Sequence, residues 1–254
     1  MEHSILDTIL SNLSTFSKKN AFYINEEFYT YSDLSKKIAG IAKALKELPK
    51  QTPVGIITTD SLETYASIIA LWLNEHIFIP ISPANAKERN ENSIKQAEVK
   101  YILSSTLEAT EIINSVGIKL IPTDTLESDC KIENNNTDPN NILYTLFTSG
   151  STGTPKGVPI NLKNLDAFIH SFINIGFKFN ETDKFLQLYD LSFDASVHCY
   201  TLPLFLGACA YTIPSKEVKY LYAYKLMKEK ELTFVKMPPS TITYLQPYFS
   251  KINL

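Results

Sequence analysis

A chain of 254 residues with 44% hydrophobic and 20% charged side chains is long enough for one large or two modest domains, and too apolar for a disordered or fibrous protein. Its 24 basic residues face 27 acidic ones, a net charge of −3, and Arg89 is its single arginine; both facts speak against nucleic-acid binding, which rests on basic excess and forked guanidinium contacts. No signal peptide or membrane span is expected, because Asp7 interrupts the first apolar stretch and Asn74, Glu75 and His76 break the most apolar window; Cys130, Cys199 and Cys209 form no CxxC pair, which fits a reducing cytoplasm.

The spacing of Ile5, Leu6, Ile9, Leu10, Leu13 and Phe16 predicts an amphipathic helix. Phe22-Tyr23-Ile24 and Phe28-Tyr29, around Asn25-Glu26-Glu27, predict a hairpin. Leu34, Ile38, Ile41, Ala42 and Leu45 mark one face of a helix over 32–48, ended by Pro49 and Pro53. Strands over 54–57, 77–81 and 100–103 alternate with helices over 62–73 and 86–98. The polar, turn-rich run Lys131-Ile132-Glu133-Asn134-Asn135-Asn136-Thr137-Asp138-Pro139-Asn140 predicts an exposed connector, about 131–141, between one α/β lobe over 1–130 and a second over 142–254. Beyond it, strands are predicted over 142–147, near Val158, and over 185–188, 209–213 and 233–236. Helices are predicted over 162–175, 195–206, 218–228 and 241–249. Apolar strands alternating with helices specify an α/β fold whose mixed or parallel sheets are covered on both faces.

The most informative stretch runs from Phe147 to Val158. Gly150, Gly153 and Gly157 permit positive φ and close approach of backbone to a ligand. Successive free N–H groups there can form an anion-binding concavity. The hydroxyls of Thr148, Ser149, Ser151, Thr152 and Thr154 add neutral donors and Lys156 adds a charge, which together are the groups a polyphosphate requires. This is not the motif of P-loop nucleotidases, since Gly157 and Val158 follow Lys156 where Ser or Thr is needed. A flexible Gly/Ser linker is the competing reading, opposed by Pro155-Lys156 and the flanking apolar strands.

The run Thr148-Ser149-Gly150-Ser151-Thr152-Gly153-Thr154-Pro155-Lys156-Gly157-Val158 resembles the phosphate-loop signature of the adenylate-forming (AMP-binding) superfamily. That superfamily comprises acyl- and aryl-CoA synthetases, luciferases and amino-acid adenylation domains. Thr30-Tyr31-Ser32-Asp33-Leu34 is similar to its early T-Y-x-E-L helix start. The run from Leu71 to Pro83 is similar to its L-x-x-G-x-x-Y-V-P-I-D-P stretch, with the glycine and the aspartate replaced. The resemblance implies that Thr148, Ser149, Gly150, Ser151, Thr152, Gly153, Thr154, Lys156 and Gly157 engage the phosphates of ATP while a carboxylate attacks the α-phosphate. It implies Mg²⁺ on those phosphates, with Thr148 the nearest hydroxyl.

Phe193-Asp194-Ala195-Ser196-Val197 resembles the F-D-x-S-V motif of amino-acid adenylation domains of nonribosomal peptide synthetases and of D-alanine–carrier-protein ligases. The resemblance implies that Asp194 holds a substrate ammonium, that Ala195 and His198 line the side-chain pocket, and that Lys236, at the end of a predicted strand, faces the substrate side chain. A lysine there suits an acidic side chain such as aspartate or glutamate. Read from the residues alone, Asp194 sits in a first helical turn where the dipole favours a carboxylate, His198 packs four residues on along the same face, and Lys236 is a solvated strand end.

The expected function is ATP-dependent activation of an amino acid as its adenylate, followed by transfer to the phosphopantetheine thiol of an acyl or peptidyl carrier protein. An acyl- or aryl-CoA synthetase, and a non-catalytic nucleotide-binding or interaction module, stay open as alternatives. Members of the superfamily are longer, with an N-x-Y-G-P-T-E-like motif, a ribose-binding aspartate and a C-terminal domain bearing a catalytic lysine. None of these occurs here, so the chain is expected to be the N-terminal portion of such an enzyme, with negligible adenylation on its own.

Overall fold

The hydroxyl of Ser4 accepts the Leu6 amide and opens α1 (Ile5–Thr15), which buries Ile5, Leu6, Ile9 and Leu13 on one face. The computed structural model describes residues 4–106, 117–130, 132, 137–148 and 155–252. β1 (Asn20–Ile24) and β2 (Glu27–Thr30) form the expected hairpin, turning on Asn25 and Glu26 at φ 50° and 69°. Thr30 and Asp33 cap α2 (Tyr31–Leu45) reciprocally, side chain to backbone in both directions.

β3 (Pro53–Ile57), α3 (Leu62–Leu73), β4 (Ile77–Ile81), α4 (Lys87–Gln96) and β5 (Tyr101–Ser104) follow, and β6 (Lys119–Pro122) is a strand the sequence did not announce. After the polar stretch come β7 (Ile142–Thr148), β8 (Lys156–Asn161), α5 (Leu162–Ile173), β9 (Lys184–Gln187), α6 (Asp194–Leu206) and β10 (Cys209–Thr212). Then α7 (Lys219–Lys230), α8 (Pro239–Leu245) and a 3₁₀ turn (Gln246–Lys251) end the described chain. The strand predicted over 233–236 does not form: Phe234 alone bridges, in parallel, to Phe185. Within the connector, residues 131 and 133–136 lie outside the described residues, and 138–140 are exposed.

The strands make two sheets, in the orders β6-β5-β3-β4-β7-β8 and β2-β1-β10-β9. Each is parallel except at one edge, where β8 and β2 run antiparallel. Both sheets therefore take strands from either side of the polar stretch 131–141. Between them lies one continuous core that includes Phe22 of β1, Phe78 of β4, Trp72 of α3 and Tyr200 of α6. α3 is buried all round except at Glu63, as befits a helix enclosed between sheets. Trp72 stacks on Tyr200 at 6.2 Å between ring centroids and donates its indole N–H to the Leu143 carbonyl at 2.9 Å, fixing α3 against the start of β7.

Candidate ligand-binding site

β7 is buried along Leu143, Tyr144, Leu146 and Phe147 and reaches the surface at Thr148. β8 returns antiparallel with Lys156 opposite Thr148, so the hairpin holds a hydroxyl and an ammonium-bearing residue at one exposed end. The Thr148 hydroxyl donates to the Lys156 carbonyl at 3.5 Å. Ser149, Gly150, Ser151, Thr152, Gly153 and Thr154 lie outside the described residues. Gly157 does not have the positive φ expected of it. It sits opposite Phe147 in the ladder, and a Cβ there would meet Thr145 at 3.0 Å and the Phe147 ring at 3.1 Å. The absence of a side chain at Gly157 thus makes room for the hairpin's own side chains.

Beside this hairpin end opens a cavity of about 560 Å³. Thr148 and Arg89 line it, as does Asp194, the first residue of α6. Between those polar groups the walls are apolar: Leu146, Val158, Phe168, Phe193 and Val197 among them. The Asp194 carboxylate accepts the Ala195 amide at 2.7 Å, and among the described residues no cation pairs with it. The next turn presents Val197 to the cavity, while His198 turns away behind Phe168, its ring 5.7 Å from that of Phe168, 4.2 Å from Phe172 and 6.0 Å from Phe234. Neither imidazole nitrogen of His198 has a hydrogen-bond partner, and burial, aided by the charge of Lys236, pushes its pKa down to about 4.

Lys236 stands 6.0 Å from the Tyr189 ring and also acts on the Cys199 thiol, whose pKa burial lifts to about 12. These couplings put Lys236 on the flank of α6 that carries His198. Four of the predicted residues thus fall in two places: Thr148 and Asp194 at the cavity, and His198 with Lys236 behind it.

Sequence reasoning missed the device that orients this corner. Asp190 accepts the Ser82 hydroxyl at 2.6 Å, the Ser192 hydroxyl at 2.6 Å and the Ser192 amide at 2.8 Å. Asn90 donates to the Ser82 carbonyl at 2.8 Å. The end of β4, the start of α4 and the turn into Asp194 are tied together by this network. An aspartate two residues before a serine, just ahead of a helix, is an Asx-turn signal that could have found it.

The AMP-binding enzyme family matches residues 11–251. The chain belongs to that family. Tyrocidine synthase 1 of Brevibacillus parabrevis is 27% identical over 240 residues, covering 91% of this chain and 22% of its own. The D-alanine–D-alanyl carrier protein ligase of Streptococcus pneumoniae is 28% identical over 231 residues, covering 86% of this chain and 44% of its own. A solved nonribosomal peptide synthetase, FmoA3 in its AMPPNP-bound form, superposes with a TM-score of 0.88 at 19% identity, over 99% of this chain and 27% of that one. The chain spans less than half of each of these proteins.

Members of the AMP-binding family are adenylate-forming ligases that use ATP. Among the described residues no three His, Cys, Asp or Glu side chains gather into a metal site. No helix among the described residues is long and apolar enough to cross a membrane.

Proposed function

We infer that this chain supplies the nucleotide-binding and acid-binding groups of a ligase that activates an amino acid as its adenylate for transfer to a carrier-protein thiol. The observation that carries this reading is the shared cavity. Thr148 at the end of β7 and Asp194 at the start of α6 line one space at the carboxyl edge of the parallel strands, the usual location of ligands in open α/β sheets, and Lys156 pairs with Thr148 across the hairpin.

The roles follow from the chemistry of each group. Lys156 and the hydroxyls and amides of residues 148–154 grip the triphosphate, which sets the α-phosphorus before the incoming carboxylate. As that bond forms and the bond to the β-phosphate breaks, the charge leaving with pyrophosphate is met by donors already in place. Mg²⁺, when bound, neutralises part of that charge. Asp194, a carboxylate with no cationic partner among the described residues, holds the substrate ammonium. Ala195, His198 and Lys236 govern the substrate side chain, and the Lys236 ammonium favours an acidic one.

Calorimetric titration with ATP and Mg²⁺, and then with amino acids, tests the assignment on this chain. Lys156→Ala is expected to weaken ATP binding by about tenfold or more, the cost of a charge-assisted contact. Asp194→Asn should spare ATP and abolish amino-acid binding, and Lys236→Ala should erase any preference for aspartate or glutamate. ATP affinity unchanged in Lys156→Ala would sink the reading.

A further inference from the structure

Arg89 is the only arginine of the chain, in which every other strong base is a lysine. It lies on α4, half-buried, and lines the same cavity as Thr148 and Asp194. One guanidinium nitrogen, Nη2, donates to the carbonyl of Phe147 at 3.3 Å, which holds the group at the root of the hairpin, one residue before Thr148. Among the described residues that is its one hydrogen bond, and no carboxylate stands within ion-pair distance of it. Among the described residues the cavity's lining therefore carries one positive and one negative group, Arg89 and Asp194, that do not pair with each other. A fixed guanidinium offers several N–H donors in a planar fork that matches two oxygens of one oxyanion, where a lysine would offer a point charge. Half-burial against Phe147 and the apolar walls leaves that charge less screened than one on open surface.

We propose that Arg89 is an oxyanion-binding residue of this site, its free fork gripping either the carboxylate of the acid to be activated or a phosphate of the nucleotide. The inference rests on the adenylation reading above, and it adds a positive contact opposite Asp194. If the anion is the acid's own carboxylate, Arg89 and Asp194 together read both ends of a zwitterion and hold the carboxylate toward the hairpin. If it is a phosphate, Arg89 joins Lys156 in drawing charge off the departing pyrophosphate.

Three sets of probes separate these sources by calorimetry: inorganic pyrophosphate with Mg²⁺; leucine, phenylalanine and glutamate; and the amino alcohols of the same side chains, which keep the ammonium and lack the α-carboxylate. Arg89→Met keeps the stem and removes the fork. It is expected to weaken pyrophosphate, the amino acids or both by about tenfold to a hundredfold, with the amino alcohols binding as they do to the wild type. A loss confined to the amino acids assigns the carboxylate, and one confined to pyrophosphate assigns the phosphate. Arg89→Lys should restore part of the affinity.

Unaltered affinity of Arg89→Met for both anions overturns the proposal. So does an equal loss for the amino alcohols, which would mean the cavity had collapsed, and so does a wild type that binds none of the probes. The two readings fail separately. Pyrophosphate binding that depends on Lys156, with neither pyrophosphate nor the amino acids weakened by Arg89→Met, removes the role of Arg89 alone. Pyrophosphate binding that depends on Arg89, with no amino acid bound, removes the amino-acid assignment alone.

Discussion

His198 has a measurable consequence at the scale of one residue. Its imidazole is 1% exposed, packed among phenylalanine rings with both nitrogens unpartnered, and its pKa falls from the ordinary 6.5 to about 4. Between those values the unfolded chain takes up a proton that the folded chain refuses. The neutral ring's contribution is thus complete above pH 6.5 and is lost as the pH falls toward 4, a swing on the order of 3 kcal/mol. His198→Phe carries no titrating group and should gain stability relative to the wild type as the pH is lowered from 7 to 4. Urea midpoints measured across that range are the check, and superimposable pH profiles for the two proteins would refute it. His198 and Asp194 were legible in the sequence as a helical i, i+4 pair; that they end on different sides of Phe168 was not, because the rings of α5 that separate them arrive from elsewhere in the chain.

At the scale of elements, α6 shows what local chemistry decides. It ends at Gly207, which adopts φ +75°, while the Ala208 amide returns to the Pro203 carbonyl at 2.9 Å. A Cβ on Gly207 would also lie 2.2 Å from the Phe16 ring. Gly207→Ala combines a disfavoured backbone with a steric clash, so a loss of about 2 kcal/mol is expected. It should appear as a lower urea midpoint at unchanged slope, and a midpoint equal to the wild type's would contradict it. Elements with long unbroken apolar runs, such as α3 and β4, lie where those runs put them. Lys119–Pro122 gave no such signal: its four residues are half-buried or exposed at a sheet edge. Thr233 to Lys236 had the apolar pattern of a strand, yet only Phe234 finds a bridge, because its ring belongs to the phenylalanine cluster with Phe172, Phe177 and Phe179. Pattern reports what a segment could bury, and pairing depends on what lies next to it.

At the scale of the molecule, the polar stretch marks a boundary in composition that the hydrogen bonding crosses. β1 and β2, from the beginning of the chain, complete a sheet with β9 and β10, and β7 and β8 extend the sheet begun by β3 and β4. Asn12 of α1 donates to the carbonyls of Leu204 and Phe205 at 3.0 and 2.8 Å, and the Tyr31 hydroxyl donates to that of Ala208 at 2.7 Å. The Ile5 amide reaches the Asp166 carboxylate at 2.8 Å. Neither side of the stretch owns a complete sheet or a closed core, because Trp72 is sandwiched by Tyr144 and Tyr200, both contributed from beyond it. Such a core opens as a unit, since exposing either side strips apolar surface from the other. Calorimetry should therefore record a single transition for the chain, and pieces 1–130 and 142–254 made separately should melt without cooperativity. Co-expression of the two should recover the single transition. Two independent transitions, or a cooperative melt from either piece alone, would show that the crossing strands contribute little and that the ligand cavity, whose Arg89 precedes the stretch and whose Thr148 and Asp194 follow it, is assembled from separable parts.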